Sequence, residues 1–182
     1  MSTKEIIRAL RSLQACGESV MWAGELWEGT TMQQAWDLCP RADWLLWLLA
    51  RTKSDQKLLT LAACACARTA LPFVPTDEDR PRIAIEWTES WARGEASMGE
   101  VRAAVSHASL ISSYTIFSAI DAAADAIADG VAYAAGAASY AADAAASYAA
   151  HEVADTIRCE ALARMADIVR GFFPHPPTVD FA

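Results

Sequence analysis

His151 opens the stretch HEVAD, one letter away from the H-E-x-x-H pair in which two histidines on successive helical turns bind zinc. Asp155 stands where the second histidine would be, and an aspartate can ligate zinc. Two ligands do not make a site, and no third is recognisable by spacing, so an ordinary helix-surface histidine is the simpler reading. Cys64 and Cys66 look like a pair, but residues i and i+2 of a helix point about 200° apart. They cannot clamp one metal or close a disulfide without breaking that helix, and buried structural thiols fit better. The three histidines, His107, His151 and His175, show no spacing to an activated nucleophile. The sequence contains no nucleophile elbow, phosphate loop or glycine-rich dinucleotide fingerprint. No catalytic residue, metal ligand set or cofactor is therefore expected, and the chain reads as a non-enzyme.

The other candidates are charged or aromatic. Arg41 and Asp43 flank the start of the most apolar segment, RADWLLWLLAR, where neither can be buried unpaired. A structural ion pair, or a helix cap through Asp43, accounts for both. Arg80, Arg82 and Arg93 could form an anion site, but Asp77, Glu78, Asp79, Glu86 and Glu95 lie among them, which predicts mutual surface pairing. Trp44 and Trp47, like Trp87 and Trp91, share a helical face within each pair, which predicts core packing, with Trp44, Leu45, Trp47 and Leu48 largely buried against the helix holding Leu61, Cys64 and Cys66. Trp22 and Trp27 fall in a looser stretch and are candidates to face a partner, because tryptophan is enriched at binding hot spots.

Helices must position all of these groups. Ser2 with Glu5 has capping-box spacing, followed by the apolar face Ile6, Ile7, Leu10 and Leu13. A short helix is predicted near Met32 to Leu38, then two apolar helices, RADWLLWLLAR and QKLLTLAACACARTAL, the second capped by Ser54 or Asp55. Pro81 suits the first turn of the next helix, which Gly94 should end. Ser97 and Glu100 repeat the capping box. No period-2 alternation reads as a strand, so the fold class is all-α, a compact multi-helix array with two central apolar helices. One domain is expected over residues 1–171, with an alanine-rich helical part at about 116–170. The tail over 172–182, FFPHPPTVDFA, should run extended because of its prolines.

Within the alanine-rich part, Ile116, Ile120, Ile127 and Val131 fall on one side of a helix and Asp121, Asp125 and Asp129 on the other, giving an acidic outer stripe. Gly130 suggests a break and Gly136 a weakened turn. Alanine has the highest helix propensity and lets helix axes approach closely, while Tyr133, Tyr140 and Tyr148 are expected to fill the gaps that it leaves.

The 182 residues are 54% hydrophobic and 21% charged, which suits a folded chain able to close a core. A formal net charge of -8 argues against nucleic acid as a partner and favours another protein with a basic surface. The opening MSTKEIIRALRSLQ lacks an apolar h-region, and WLLWLLA is too short to span a bilayer. The alanine-rich region is long enough, but Asp121, Asp125, Asp129 and Asp143 would be costly there, so no membrane partner is expected. Five cysteines, an odd number without framework spacing, suggest reduced thiols and a cytoplasmic location.

Three segments, AWDLCPRADWLLWLLAR, LLTLAACACARTALPFV and DRPRIAIEWTESWARGEAS followed by VRAA, resemble the immunity proteins of the Imm5-like family. The resemblance covers roughly Met32 to Val169 and rests on the words Cys39–Arg41–Asp43–Trp44 and Trp91–Ala92–Arg93–Gly94–Glu95–Ala96, with Ala42 where the pattern would have glycine. It implies a helical protein that neutralises a toxin by binding it, and it brings no catalytic residues. A phage-encoded anti-defence inhibitor of a host complex, anti-CRISPR-like or DNA-mimicking, is the alternative. The residues expected to face the partner are Asp121, Asp125, Asp129, Tyr133, Tyr140, Trp22 and Trp27.

Overall fold

The structure is a computed structural model that describes residues 3–52, 54–108, 118, 119, 122, 130–147 and 151–179. Every regular element among the described residues is helical. In chain order they are α1 (Thr3–Ser12), α2 (Gly17–Glu25), α3 (Met32–Leu38), α4 (Ala42–Arg51), α5 (Gln56–Arg68), a 3-10 turn (Leu71–Phe73), α6 (Arg80–Arg93), α7 (Met98–Ala108), α8 (Gly130–Ser147) and α9 (His151–Phe172). The fold is all-α.

Local chemistry sets most of the boundaries. Thr31 and Gln34 form a reciprocal capping box at α3: the Thr31 hydroxyl accepts from the Gln34 amide at 3.2 Å, and the Gln34 side-chain oxygen accepts from the Thr31 amide at 2.9 Å. At α5 the Asp55 carboxylate accepts from the amides of Lys57 and Leu58 at 2.9 and 3.1 Å. Ser97 and Glu100 make the expected box at α7, and those hydrogen bonds hold the Glu100 carboxyl below its ordinary range. Pro81 lies in the first turn of α6, where its missing N–H costs nothing. Gly94 ends α6 with φ 82°, and the Glu95 amide then reaches back to the Ser90 carbonyl at 2.8 Å. The same geometry ends α1, but there Gln14 occupies the left-handed position with φ 62°.

α8 sits at the centre, with α4, α5 and α9 all packed against it. Its residues Ala137, Ala138, Ala141, Ala142 and Ala144 are at most 1% exposed. Bulk comes from the surrounding helices, through Leu45, Leu46 and Leu49 of α4, Leu59 of α5, and Leu162, Met165 and Val169 of α9. Ala119 and Ala122 join this core, and a Cβ built on Gly136 would lie 3.2 Å from that of Ala122. Gly136 therefore marks a close approach of α8 to the segment holding Ala122. Gly130 is the first residue of α8, and the residues just before it lie outside the described ones.

Two expectations about large side chains need correction. Tyr140 is 36% exposed, so it covers the Gly136–Ala122 approach from the surface and is not a buried filler. Alanine alone already permits the contact, and the leucines opposite supply the volume. Trp44 and Trp47 are only partly buried, while Leu45 and Leu48 beside them are enclosed. The apolar side of α4 that meets the core is its leucine face, turned chiefly to α8, so the tryptophans sit at its margin. Trp87 is likewise 37% exposed, and Trp91 packs in a small satellite cluster with Val101. The tryptophan that is enclosed is Trp36, at 3%. Beyond α9 the chain runs without helix through Val179, and Phe173 and Val179 cover part of the core.

Candidate functional site

The first four helices enclose one deep surface groove. Short elements make it: α2 has 9 residues and α3 has 7, too few to cover the tryptophans that α4 presents. Ile6 and Leu10 of α1, Trp22 of α2, Met32 and Trp36 of α3, and Trp44, Leu45, Trp47 and Leu48 of α4 line a cavity of about 270 Å³. Cys16, Glu18, Arg41 and Asp43 form the polar part of its wall.

The aromatic rings are arranged, not merely adjacent. Trp22 and Trp44 lie with centroids 6.0 Å apart at 54°, the tilted geometry that suits two ring quadrupoles. The Arg41 guanidinium lies 4.7 Å from the Trp44 ring centre and the Arg51 guanidinium 5.8 Å from that of Trp47. Arg41 donates from two nitrogens to the two oxygens of Asp43, at 2.9 and 2.7 Å. That bidentate pair is the ion pair expected from the sequence, and it holds the Arg41 guanidinium above its ordinary pKa. The remaining nitrogen reaches Glu18 at 3.4 Å, a longer contact to a carboxylate whose side chain is 75% exposed. Glu18 therefore remains the accessible charge at the rim.

The floor is fixed from behind. The Trp36 indole donates to the Phe173 carbonyl at 3.0 Å, and Arg170 of α9 donates to the carbonyls of Trp36 (3.1 Å) and Cys39. Gln33 contacts the Pro174 carbonyl and the His175 ring, tying α3 to the tail. Burial pushes the Cys39 thiol up to about 11, so it is inert at neutral pH. Burial raises the Cys64 thiol as well and takes that of Cys66 to about 12; both side chains are enclosed, as expected of structural thiols. Cys16 and Cys159 are exposed.

Among the described residues expected to face a partner, Trp22 is the one that lines the groove. Trp27 lies on the α2–α3 connection, 56% exposed, its carbonyl held by the hydroxyls of Thr3 and Thr30. Tyr140 is on α8. Tyr133 belongs to the same helix, with a side chain outside the described residues, and Asp121, Asp125 and Asp129 are also outside them. His151 begins α9 and Asp155 is exposed one turn later; among the described residues no group of three or more His, Cys, Asp or Glu side chains could hold a metal ion. The arginines around α6 pair as expected: Arg80 with Glu78, Arg82 with Asp79 and Glu86 at 3.1 and 2.7 Å, Arg93 with Glu95 at 2.8 Å. No described helix is long and apolar enough to cross a membrane. Glu18, Trp36 and the groove-facing leucines carried no local signal in the sequence. The available hint was tryptophan density, since five of the seven, Trp22, Trp27, Trp36, Trp44 and Trp47, fall in the first 47 residues.

Residues 50–168 match the family described as Imm-5 like putative immunity protein. The match starts later than the resemblance in the sequence suggested: the Trp91–Ala96 word lies inside it and the Cys39–Trp44 word outside. Every residue lining the groove, from Ile6 to Leu48, also precedes the matched segment. No curated protein and no solved structure matches the chain.

Proposed function

The chain belongs to the Imm-5 like immunity family, and on that premise we propose that it is a non-enzymatic inhibitor that neutralises a toxin by binding it directly. Family membership is the observation that carries this reading. Two physical features support it. The charges described around α6 are committed to one another in exposed surface pairs, which leaves no anion site among its arginines. A net charge of -8 favours encounter with a basic partner, because complementary fields raise association rates. Asp121, Asp125 and Asp129 would contribute to that field, and Trp22, Trp27, Tyr133 and Tyr140 are the aromatic contact candidates.

The test is co-expression with the toxin that a pull-down with this protein recovers from its native host. Growth should be restored, and a stable complex containing intact toxin should be recovered from the cells. Degraded or chemically altered toxin would overturn the non-enzymatic reading. Recovery of a host defence complex in place of a toxin would transfer the same binding role to anti-defence.

A further inference from the structure

We propose that the groove formed by α1, α2, α3 and α4 is the partner-binding site, and that it seats an aliphatic or aromatic side chain presented beside a lysine or arginine. The proposal deepens the inhibitor reading and rests on it. The wall is apolar and aromatic, with Trp22, Trp44, Leu45 and Leu48 positioned to enclose one anchor side chain. Aromatic pockets that a partner desolvates on binding are where binding energy concentrates. The rim selects the charge. Arg41 lines the wall, but its two short hydrogen bonds go to Asp43, which neutralises it. Glu18 is left with one contact of 3.4 Å and three-quarters of its side chain in solvent. An incoming cation can take Glu18 without breaking the bidentate pair, whereas an incoming carboxylate would meet Glu18 and Asp43 together. The rim and the whole chain thus favour the same sign of partner.

The groove also lies outside the segment that matches the family, whose helices α5 to α9 build most of the core. The rim residues Glu18, Trp22 and Arg41 lie outside the buried core, so they can differ between family members, which suits a surface that has to discriminate among toxins.

Two amphipathic helical peptides of equal length, one Leu/Lys and one Leu/Glu, serve as probes, with tryptophan emission as the signal. The Leu/Lys peptide should bind saturably and more weakly as salt rises, and at least about 10-fold more tightly than the Leu/Glu peptide. Glu18→Lys should weaken it about 10-fold, while Glu160→Lys, the same charge change on the exposed part of α9, should leave it unchanged. Trp44→Ala should weaken it by about 10-fold or more. In the unmodified protein, bound peptide should slow alkylation of Cys16, which lines the groove, and leave Cys159 alone. Equal affinity for both peptides, equal effects of the two charge reversals, or an unchanged Cys16 rate would each overturn the proposal. So would Cys16 protection in concentrated protein without peptide, which would assign the groove to a second copy of this chain. Toxin protection separates the two readings: Glu18→Lys that still protects cells fully refutes the site alone, whereas failure of the wild-type protein to protect refutes the inhibitor.

Discussion

The centre of this molecule is built from its smallest side chains and its N-terminal edge from its largest. On α8, alanines at positions 137, 138, 141, 142 and 144 are essentially inaccessible. On α2 and α4, Trp22, Trp44 and Trp47 remain partly open to solvent. Burial follows how many neighbours a helix has, not how apolar its residues are. α8 is contacted by α4, α5 and α9, and a helix touched on several sides must be thin if all three axes are to close on it. Around the groove, short helices leave large rings with one side packed and the other free, the state expected of a surface that will be covered later.

The contrast can be broken most directly at α4, whose leucines are taken to supply the volume that α8 lacks. Leu46→Ala should cost about 2–5 kcal/mol in urea denaturation, because Leu46 is fully enclosed and its cavity faces close-packed helices. A loss within the range of an ordinary surface change, about 0.5 kcal/mol, would remove α4 from the core. Ala138→Leu is the complementary change. Although it adds apolar area, it should destabilise by about 1–3 kcal/mol, since Ala138 is fully buried where α4, α5 and α9 close on α8. Higher stability in that variant would show that the centre is loosely packed.

Trp47→Ala sharpens the groove side of the comparison. A fully enclosed tryptophan would cost about 3–5 kcal/mol, but a half-open one should cost about 1–2 kcal/mol. Thermal denaturation of this variant beside Leu46→Ala ranks the two regions. The smallest effect is expected at the end of α1. Gln14 holds a left-handed conformation that glycine adopts freely, so Gln14→Gly should gain about 0.5–1 kcal/mol despite glycine's extra chain entropy. A loss there would show that the Gln14 side chain contributes more than its backbone conformation costs.

Much of this architecture could be read residue by residue. Asp55, Pro81, Gly94 and the Ser97–Glu100 box mark helix ends because a cap acts on amides only a few positions away. Arg41 with Asp43 could be read as a pair for the same reason, being two positions apart on an apolar segment. The groove could not be read in this way. Glu18 meets Arg41 across 23 positions and the Trp36 indole meets Phe173 across 137, and neither contact leaves a trace in local spacing. The tryptophans of α4 illustrate the limit, since the same i,i+3 spacing serves a core face or a groove wall.

By itself, the amino-acid sequence determined that the chain is helical, where most of its helices begin and end, and that its charges largely pair among near neighbours, because propensity, capping and short-range ion pairing depend on residues within about one or two turns. Tertiary structure decided which apolar residues became core and which became a surface. That choice depends on how many helices crowd each face. The apolar face of α4 is covered at its leucines and left open at its tryptophans only because α8 lies on one side and two short helices on the other.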